Sequence, residues 1–415
     1  MNLWRWFQTL FYGGSRGEIV SVFDLGTSVA KTAIASLDYR EGTVEILGLG
    51  QATYSEPLVI TESLPDAMLA PVISQSLAEA RRSTRAKIRR AYLVGQPPFI
   101  GGATFTFSYV REGPKAKVDN TELKNIIQKI QWRELEKIRK EMRSATIIYA
   151  RITEVRVDGY RVASPVGFQG KEVTLTIFNI YASPSVLGAL AQHLAAFKLE
   201  LAGVTTQALS FWTWLSETRS ENFGAIVIDV GGAGTRVSVF RRGRLEGERV
   251  FSIGAATFAR RLTDAFSVTA AIAEDILGKY EVGRLSNAVT EKIAGLLKSD
   301  VELWKQGLML VMGEFAKVDV LPQEIFLIGA ARGLSGLAEA VQSLRDDPSV
   351  ALAGELTVAL PDVADMKGLL DPKHLLTHTY FVAAIAGLEF VKRTHDRQDV
   401  LAKILRRATR LLQPT

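Results

Sequence analysis

Two short stretches of the chain carry residues that could grip the phosphates of a nucleotide. Residues 22–35 read VFDLGTSVAKTAIA, and residues 227–240 read VIDVGGAGTRVSVF. Each has an Asp after an apolar run, then small residues in a predicted tight turn, then a basic residue in a second β-rich run. Small residues let backbone N–H groups approach a phosphate closely, and carboxylates are ligands that Mg²⁺ prefers. The two stretches therefore predict two duplicated hairpins that face each other across a phosphate site.

A third stretch completes the candidate site. IGAARG, at residues 328–333, follows an apolar strand and offers a small-residue turn on which an adenine could lie. Three such stretches in this order form a more specific pattern than any one of them. The alternative is that these loops only close the fold. The candidate phosphate contacts are Asp24, Gly26, Thr27, Ser28, Asp229, Gly231, Gly232, Gly234, Thr235 and Arg236, and Asp24 and Asp229 are also the candidate metal ligands.

Composition limits the class of protein. A chain of 415 residues with 47% hydrophobic and 23% charged residues predicts two to four globular units. It contains no Cys, which excludes disulfides and thiolate metal sites and is typical of a reducing compartment. The net charge of +6 is mild, and the basic run RRSTRAKIRR at residues 81–90 lacks interleaved aromatic residues. We therefore predict no nucleic-acid partner.

The order of hairpin, insertion, hairpin, helical insertion and glycine turn resembles the actin-like ATPase fold. Within it, the chain is most similar to FtsA, a family of bacterial cell-division proteins, over about residues 18–390. Three stretches carry this resemblance: residues 117–130 (KVDNTELKNIIQKI), 157–183 (VDGYRVASPVGFQGKEVTLTIFNIYAS) and 271–280 (AIAEDILGKY). The pilus-assembly family PilM shares the fold and the inserted subdomain, and it is the alternative.

The resemblance implies an α/β protein with an actin-like fold. Two duplicated α/β halves would surround a nucleotide cleft, with an FtsA-type small α+β insertion in the first half and a helical insertion in the second. The implied boundaries are 1–17 for an N-terminal aromatic segment, 18–56 and 158–215 for the first half, 57–157 for the inserted small subdomain, 216–258 and 322–392 for the second half, 259–321 for the helical insertion, and 393–415 for a C-terminal amphipathic tail.

The resemblance also implies ATP as the ligand, with or without Mg²⁺. Gly329 matches the first glycine of the family's adenosine motif, and Glu274 matches an acidic residue that faces the ribose. The chain departs from the family elsewhere. Arg236 stands where the family has a carboxylate, Ala330 replaces a glycine, and Lys279 lies two residues after the usual lysine position. An Arg can contact a phosphate but cannot bind Mg²⁺, so we expect weak or metal-independent ATP binding and slow or absent hydrolysis.

Both ends of the chain predict membrane contact. Residues 399–415, DVLAKILRRATRLLQPT, form an amphipathic helical pattern with basic residues and no acidic one after Asp399, as in helices that lie on anionic membranes. The N-terminal aromatic residues are typical of the headgroup region. The alternative for both ends is packing on the protein itself or on a partner. The candidate membrane residues are Leu401, Ile404, Leu405, Arg406, Arg407, Arg410, Leu411, Leu412, Trp4, Trp6 and Phe7.

The resemblance implies a function in assembly. An FtsA-like protein would lie on the inner face of the cytoplasmic membrane, bind the C-terminal peptide of FtsZ, recruit other division proteins and form head-to-tail filaments. The first alternative is a PilM-like scaffold of type IV pilus assembly. The second is an enzyme of the same fold, such as a sugar kinase or phosphatase. It requires a catalytic carboxylate in the cleft, and the sequence offers none beyond Asp24 and Asp229.

Overall fold

The computed structural model describes residues 17–54, 66–95, 100–347, 350–361, 363, 366–376 and 381–396. The strands are β1 Glu18–Leu25, β2 Val29–Asp38, β3 Thr43–Thr53, β4 Arg90–Gly95, β5 Ile100–Val110, β6 Thr146–Val157, β7 Tyr160–Arg161, β8 Glu172–Ala182, β9 Glu200–Thr206, β10 Ala225–Val230, β11 Thr235–Arg241, β12 Arg244–Phe251, β13 Glu324–Gly329, β14 Thr357–Ala359 and β15 Leu369–Leu370. The helices are α1 Asp66–Arg81, α2 Asn120–Glu141, α3 Pro184–Ala196, α4 Gln207–Thr218, α5 Ala255–Phe266, α6 Ala270–Glu281, α7 Asn287–Ala316, α8 Ser335–Gln342 and α9 Val382–Asp396, with a 3₁₀ turn at Ser343–Asp346.

Two sheets repeat the same topology. The first has the strand order β15-β3-β2-β1-β4-β9, and the second has the order β12-β11-β10-β13-β14. In each, three antiparallel strands in chain order are followed by two parallel strands. Parallel neighbours need crossover connections, which bring helices onto the sheet faces. The predicted duplication of two α/β halves, each beginning with a β-hairpin, is therefore confirmed.

The first half buries its helix α1 directly on β3. A Cβ on Gly50 would lie 2.1 Å from the Ser76 carbonyl oxygen, and one on Gly48 would lie 2.0 Å from the Ala80 carbonyl oxygen. Only glycine permits this approach of strand and helix backbones. The hydroxyls of Thr32 and Ser76 are buried together at 2.8 Å, which satisfies both groups.

The inserted subdomain is a third sheet, of order β5-β8-β6-β7, covered by α2. Its boundaries differ from the predicted range 57–157. Helix α1 and strand β4 within that range belong to the first half, because α1 packs on β3 and β4 pairs in parallel with β1. Strand β8 lies beyond the range and pairs with both β5 and β6. The third sheet therefore draws its strands from residues 100–182.

The inserted subdomain also touches the second half. The Thr104 hydroxyl on β5 donates to the Leu245 carbonyl of β12 at 2.6 Å. Arg244 of β12 forms an ion pair with Glu154 of β6. The Arg151 guanidinium lies 3.9 Å from the ring centre of Trp212 on α4, in the first half. The subdomain is therefore bonded to both halves.

The C-terminal part of the described chain returns to the first half. Residues 322–392 were predicted to belong to the second half, and this is wrong for strand β15 and helix α9. Strand β15 pairs in parallel with β3, and α9 packs its apolar residues into the core of the first half. The Lys392 ammonium donates to the Gly42 carbonyl at 3.0 Å, which fixes the end of this helix on the β2–β3 turn.

The helices α5, α6 and α7 lie between β12 and β13 and pack against the second sheet. None of the helices in the described ranges has the length and apolar character needed to cross a membrane. The predicted N-terminal aromatic segment up to residue 16 and the predicted membrane residues of the C-terminal tail lie outside the described residues.

Candidate functional site

The two hairpin turns are built alike. In the first, the Gly26 N–H donates to the Val29 carbonyl at 3.2 Å, and in the second the Gly231 N–H donates to the Gly234 carbonyl at 2.9 Å. Each bond closes a tight turn directly after the strand that ends near an Asp. The local sequence explains this geometry, because the turns consist of Gly, Ala, Ser and Thr, which fit a narrow loop.

Each hairpin places a cation opposite its Asp. Asp24 pairs in register with Lys31 across β1 and β2, and Asp229 pairs with Arg236 across β10 and β11. Directly opposed residues of antiparallel strands share one face of the sheet. The Lys31 Nζ is 3.5 Å from Asp24 Oδ2, and the Arg236 Nη1 is 3.2 Å from Asp229 Oδ2. Both Asp residues therefore have a basic partner from the next strand.

Arg236 lies at the centre of a buried polar network. Its Nη1 donates to Gln207 Oε1 at 2.6 Å, and its Nε lies 3.5 Å from Glu248 Oε1. The side chains of Arg236, Asp229 and Glu248 are 8%, 11% and 7% exposed. Burial raises the pKa of both carboxyls, and Arg236 opposes that rise. The Arg thus stabilises two buried carboxylates together.

The two hairpin turns meet across the cleft. The Ala233 N–H of the second turn donates to Thr27 Oγ1 of the first at 2.9 Å. A Cβ added to Gly232 would lie 2.1 Å from Ser28 Oγ, so the turns are in van der Waals contact at this point. The structure thus confirms that the predicted hairpins face each other.

Most of the predicted phosphate and adenosine residues line one cavity of about 240 Å³ between the halves. Gly329 adopts φ of +101°, and a Cβ there would lie 2.4 Å from Asp229 Oδ1, so this turn requires glycine. The cavity lies beside the start of α9, at Val382 and Ala383. The predicted site residues along it are Asp24, Gly26, Thr27, Ser28, Asp229, Gly231, Gly232, Gly329 and Ala330.

Four other predicted residues have different positions. The Thr235 side chain is buried in the second half, where its hydroxyl donates to the Ile253 carbonyl at 2.6 Å and accepts from Trp304 Nε1 at 2.8 Å. Gly234 closes its turn through its carbonyl. Glu274 and Lys279 are exposed on α6, and Lys279 forms an ion pair with Asp275 at 2.6 Å. None of these four lines the cavity described above, and neither does Arg236, which was also predicted to contact a phosphate.

Three residues near the site were not among the predicted ones: Lys31 and Gln207, which line the cavity, and Glu248, which lies beside Arg236. Lys31 could have been found, because a turn closed between Gly26 and Val29 sets Asp24 opposite Lys31. Glu248 lies on a third strand and Gln207 at the start of α4. Their approach to Arg236 depends on tertiary packing, for which the local sequence has no signal.

A second candidate site lies on the inserted subdomain. A groove of about 900 Å³ runs between the end of β5 and the exposed face of α2. Three half-buried aromatic residues of β5 each lie under a basic residue of α2, with 5.2 Å between Lys129 Nζ and the Tyr109 ring centre. The other two pairs are Arg133 over Phe107 and Lys137 over Phe105. The groove wall also carries Trp132, which is 54% exposed.

The chain has structural similarity to several solved proteins, and this similarity concerns its fold. No family model and no curated protein matches the chain. The chain is similar to a solved PilM-PilN type IV pilus biogenesis complex, with a TM-score of 0.64 and 17% identity over 90% of this chain and 98% of that one. It also overlaps the ethanolamine utilization protein EutJ from Carboxydothermus hydrogenoformans, with a TM-score of 0.47 and 12% identity over 89% and 88% of the two chains. An activator of the 2-hydroxyisocaproyl-CoA dehydratase from Clostridium difficile with bound ADPNP has a TM-score of 0.38 and 11% identity over 96% and 99%.

The duplicated sheets, the cleft between them and the similarity over nearly the whole PilM-type chain define an actin-like fold. The predicted actin-like fold is therefore confirmed. A similarity at 17% identity bears on the fold alone and shows neither of the two families named from the sequence.

Proposed function

We propose that this chain is an assembly scaffold of the PilM kind, which binds a segment of a PilN-type protein in a type IV pilus machine. It acts by holding partners and further copies of itself together, and not by turning over a substrate. The single observation that carries the proposal is the match to the PilM-type chain over 98% of its length. The FtsA-type tether of FtsZ filaments is the function that this proposal replaces.

The groove on the inserted subdomain supports a role in binding a protein segment. Strand β5 is at the edge of its sheet in the described structure, since it pairs with β8 alone, and its Thr104 contacts β12 of the second half. An open strand edge can accept an extended peptide as an additional strand, with the neighbouring pocket taking alternate side chains. The groove volume of about 900 Å³ and the exposed Trp132 suit such an occupant. We therefore place the PilN-type segment here, in an extended conformation.

Binding of peptides to the full chain distinguishes the two families. We expect calorimetric titration to show saturable binding of the N-terminal segment of a PilN-type protein from the same cell, and no binding of the FtsZ C-terminal peptide. Trp132→Ala should weaken the PilN-type interaction roughly tenfold or more, because buried Trp residues are common hot spots of interfaces. Tyr160→Ala is the matched control, as Tyr160 is 79% exposed on the same subdomain outside the groove. Binding of the FtsZ peptide alone would instead support the FtsA-type function.

Attachment to the inner face of the cytoplasmic membrane is also part of the proposal. Its support is the basic amphipathic pattern of residues 399–415, in which each basic residue near an anionic membrane contributes about 1 kcal/mol. We expect the full chain to sediment with vesicles containing anionic lipid, and a chain lacking residues 398–415 to remain in the supernatant. Vesicles of neutral lipid are the control. Equal sedimentation of both chains with anionic vesicles would show that the tail is not the anchor.

A further inference from the structure

We infer that the cleft is closed by the chain's own groups and excludes Mg²⁺–ATP from the space between the two hairpin turns. This goes beyond the proposed function, because a scaffold can hold its partners with or without a nucleotide. Four features lead to it: the contact of the two turns, the cations beside the two Asp residues, the backbone bonds at the start of α5, and the positions of the residues expected at the nucleoside.

The space that phosphates would need is taken by the turns themselves. A site that grips phosphates from both sides keeps its two loops apart and points backbone N–H groups into the gap. Here the Ala233 N–H donates across the gap to Thr27 Oγ1 at 2.9 Å. The position of a Cβ on Gly232 would be only 2.1 Å from Ser28 Oγ. No phosphate group fits between the turns at the point where Ala233 meets Thr27 and Gly232 meets Ser28.

The candidate metal ligands already have positive partners. Mg²⁺ is bound through one or two carboxylates, together with water and phosphate oxygens, in a nearly octahedral shell. Lys31 lies 3.5 Å from Asp24, and Arg236 lies 3.2 Å from Asp229 within a buried network. A Mg²⁺ ion on either carboxylate would stand beside a second positive charge, where repulsion is strong because the surroundings are poor in water. The residues present therefore do not fit a Mg²⁺ ion.

The start of α5 is also occupied by internal bonds. The first N–H groups of a helix lack partners within the helix, and they commonly bind phosphate. In this chain the Ala255 N–H donates to the Gly231 carbonyl and the Ala256 N–H to the Gly232 carbonyl, each at 2.9 Å. These bonds join the helix to the second hairpin turn. The two donors are consequently directed at the protein and not at an anion.

The part of the cleft that would hold the nucleoside does not fit an adenosine either. The cavity measures about 240 Å³, which is below the roughly 300–1,000 Å³ of typical small-molecule sites. Glu274 and Lys279, which the family resemblance assigns to the nucleotide, are exposed on α6 and do not line the cavity. The residues predicted to contact the ribose therefore do not fit ATP, and neither do the residues predicted to contact its phosphates.

Titration of the full chain tests the exclusion of the nucleotide. We expect no saturable heat and no shift of the melting temperature on addition of ATP with Mg²⁺, or of ATP with a chelator, up to millimolar concentrations. Saturable binding in either arm that ADP competes away would overturn the inference. A PilN-type peptide that still binds in the same preparation keeps this outcome separate from the proposed function.

Hydrogen exchange tests the closed turns without any ligand. The loss of one hydrogen bond corresponds to roughly a fivefold change in an equilibrium, so Thr27→Val should speed exchange of the Ala233 amide on the order of fivefold. Thr27→Ser retains the hydroxyl and should leave this rate unchanged. If the Ala233 amide already exchanges as fast in the unchanged chain as in Thr27→Val, the turns are not joined and the inference fails.

Discussion

Arg236→Met is expected to lower the free energy of unfolding by about 3–5 kcal/mol, because removing one partner of a buried ionic network leaves uncompensated charge behind. Two carboxylates, Asp229 and Glu248, lose the cation that lies between them. Met retains much of the apolar volume of Arg, so the effect reports charge more than packing. Urea denaturation followed by circular dichroism measures the change.

Two controls test whether the loss of stability in Arg236→Met comes from the buried charges. Arg242→Met removes an exposed ion pair with Asp319 and should cost no more than about 1 kcal/mol. Combining Arg236→Met with Asp229→Asn and Glu248→Gln removes the unpaired charges and should recover most of the loss. An unchanged denaturation midpoint in Arg236→Met would mean that the network is not formed in solution.

The deficit of Arg236→Met should also depend on pH. Burial raises the pKa of the Asp229 and Glu248 carboxyls above their values in the unfolded chain, and loss of the Arg raises them further. A carboxyl with a raised pKa binds its proton more tightly in the folded state. The contribution of such a carboxyl to the free energy of unfolding is therefore greatest below its pKa in the unfolded chain. This contribution is lost as the pH rises through its pKa in the folded protein. The deficit should be smaller near pH 5 than at pH 7.

Trp304→Ala is the second large effect, with an expected loss of about 3–5 kcal/mol. The Trp304 side chain is fully buried in the second half, and its ring centre is 6.4 Å from that of Phe251. Its Nε1 donates to Thr235 Oγ1 at 2.8 Å, so the substitution both leaves a cavity and removes a buried hydrogen bond. Thermal and urea denaturation measure the loss.

Three further variants serve as controls for the Trp304 prediction and test the role of the Thr235 hydroxyl. Trp132→Ala, at an exposed Trp, should change stability by less than about 0.5 kcal/mol. Thr235→Val removes only the hydroxyl and should cost about 1–3 kcal/mol, whereas Thr235→Ser should cost less. If Thr235→Val is as stable as the unchanged chain, the hydroxyl has no structural role, and its assignment to a ligand would need to be reconsidered.

Local patterns predicted the parts of the site that depend on neighbouring residues. The apolar run, Asp, small-residue turn and second strand around Asp24 and Asp229 are short-range features, and both form hairpins as expected. The alternation of a strand also implies that Thr235 and Arg236 point to opposite faces. That rule alone separates Thr235, which faces the core, from Arg236, which faces Asp229.

The remaining features depend on contacts between distant segments. No local pattern relates Glu248 to Arg236, or Thr27 to Ala233, which are separated by 206 positions. Helix α9 returns to the first half because its apolar face packs against a sheet whose first strands lie far earlier in the sequence, at residues 18–53. The range of the inserted subdomain depends on which strands pair with each other. An alternating sequence pattern predicts a strand but does not identify the strand that it pairs with.

The inserted subdomain is bonded to both halves, so its contacts depend on how the two halves are arranged. Movement of the second half away from the subdomain must stretch or break the Thr104–Leu245 hydrogen bond and the Arg244–Glu154 ion pair. A partner seated beside β5 would therefore bind the joined and separated arrangements with different affinities. Linkage is reciprocal, so the arrangement of the halves would bias partner binding by the same free energy. If the proposed partner binds beside β5, the subdomain therefore couples its binding to the arrangement of the halves.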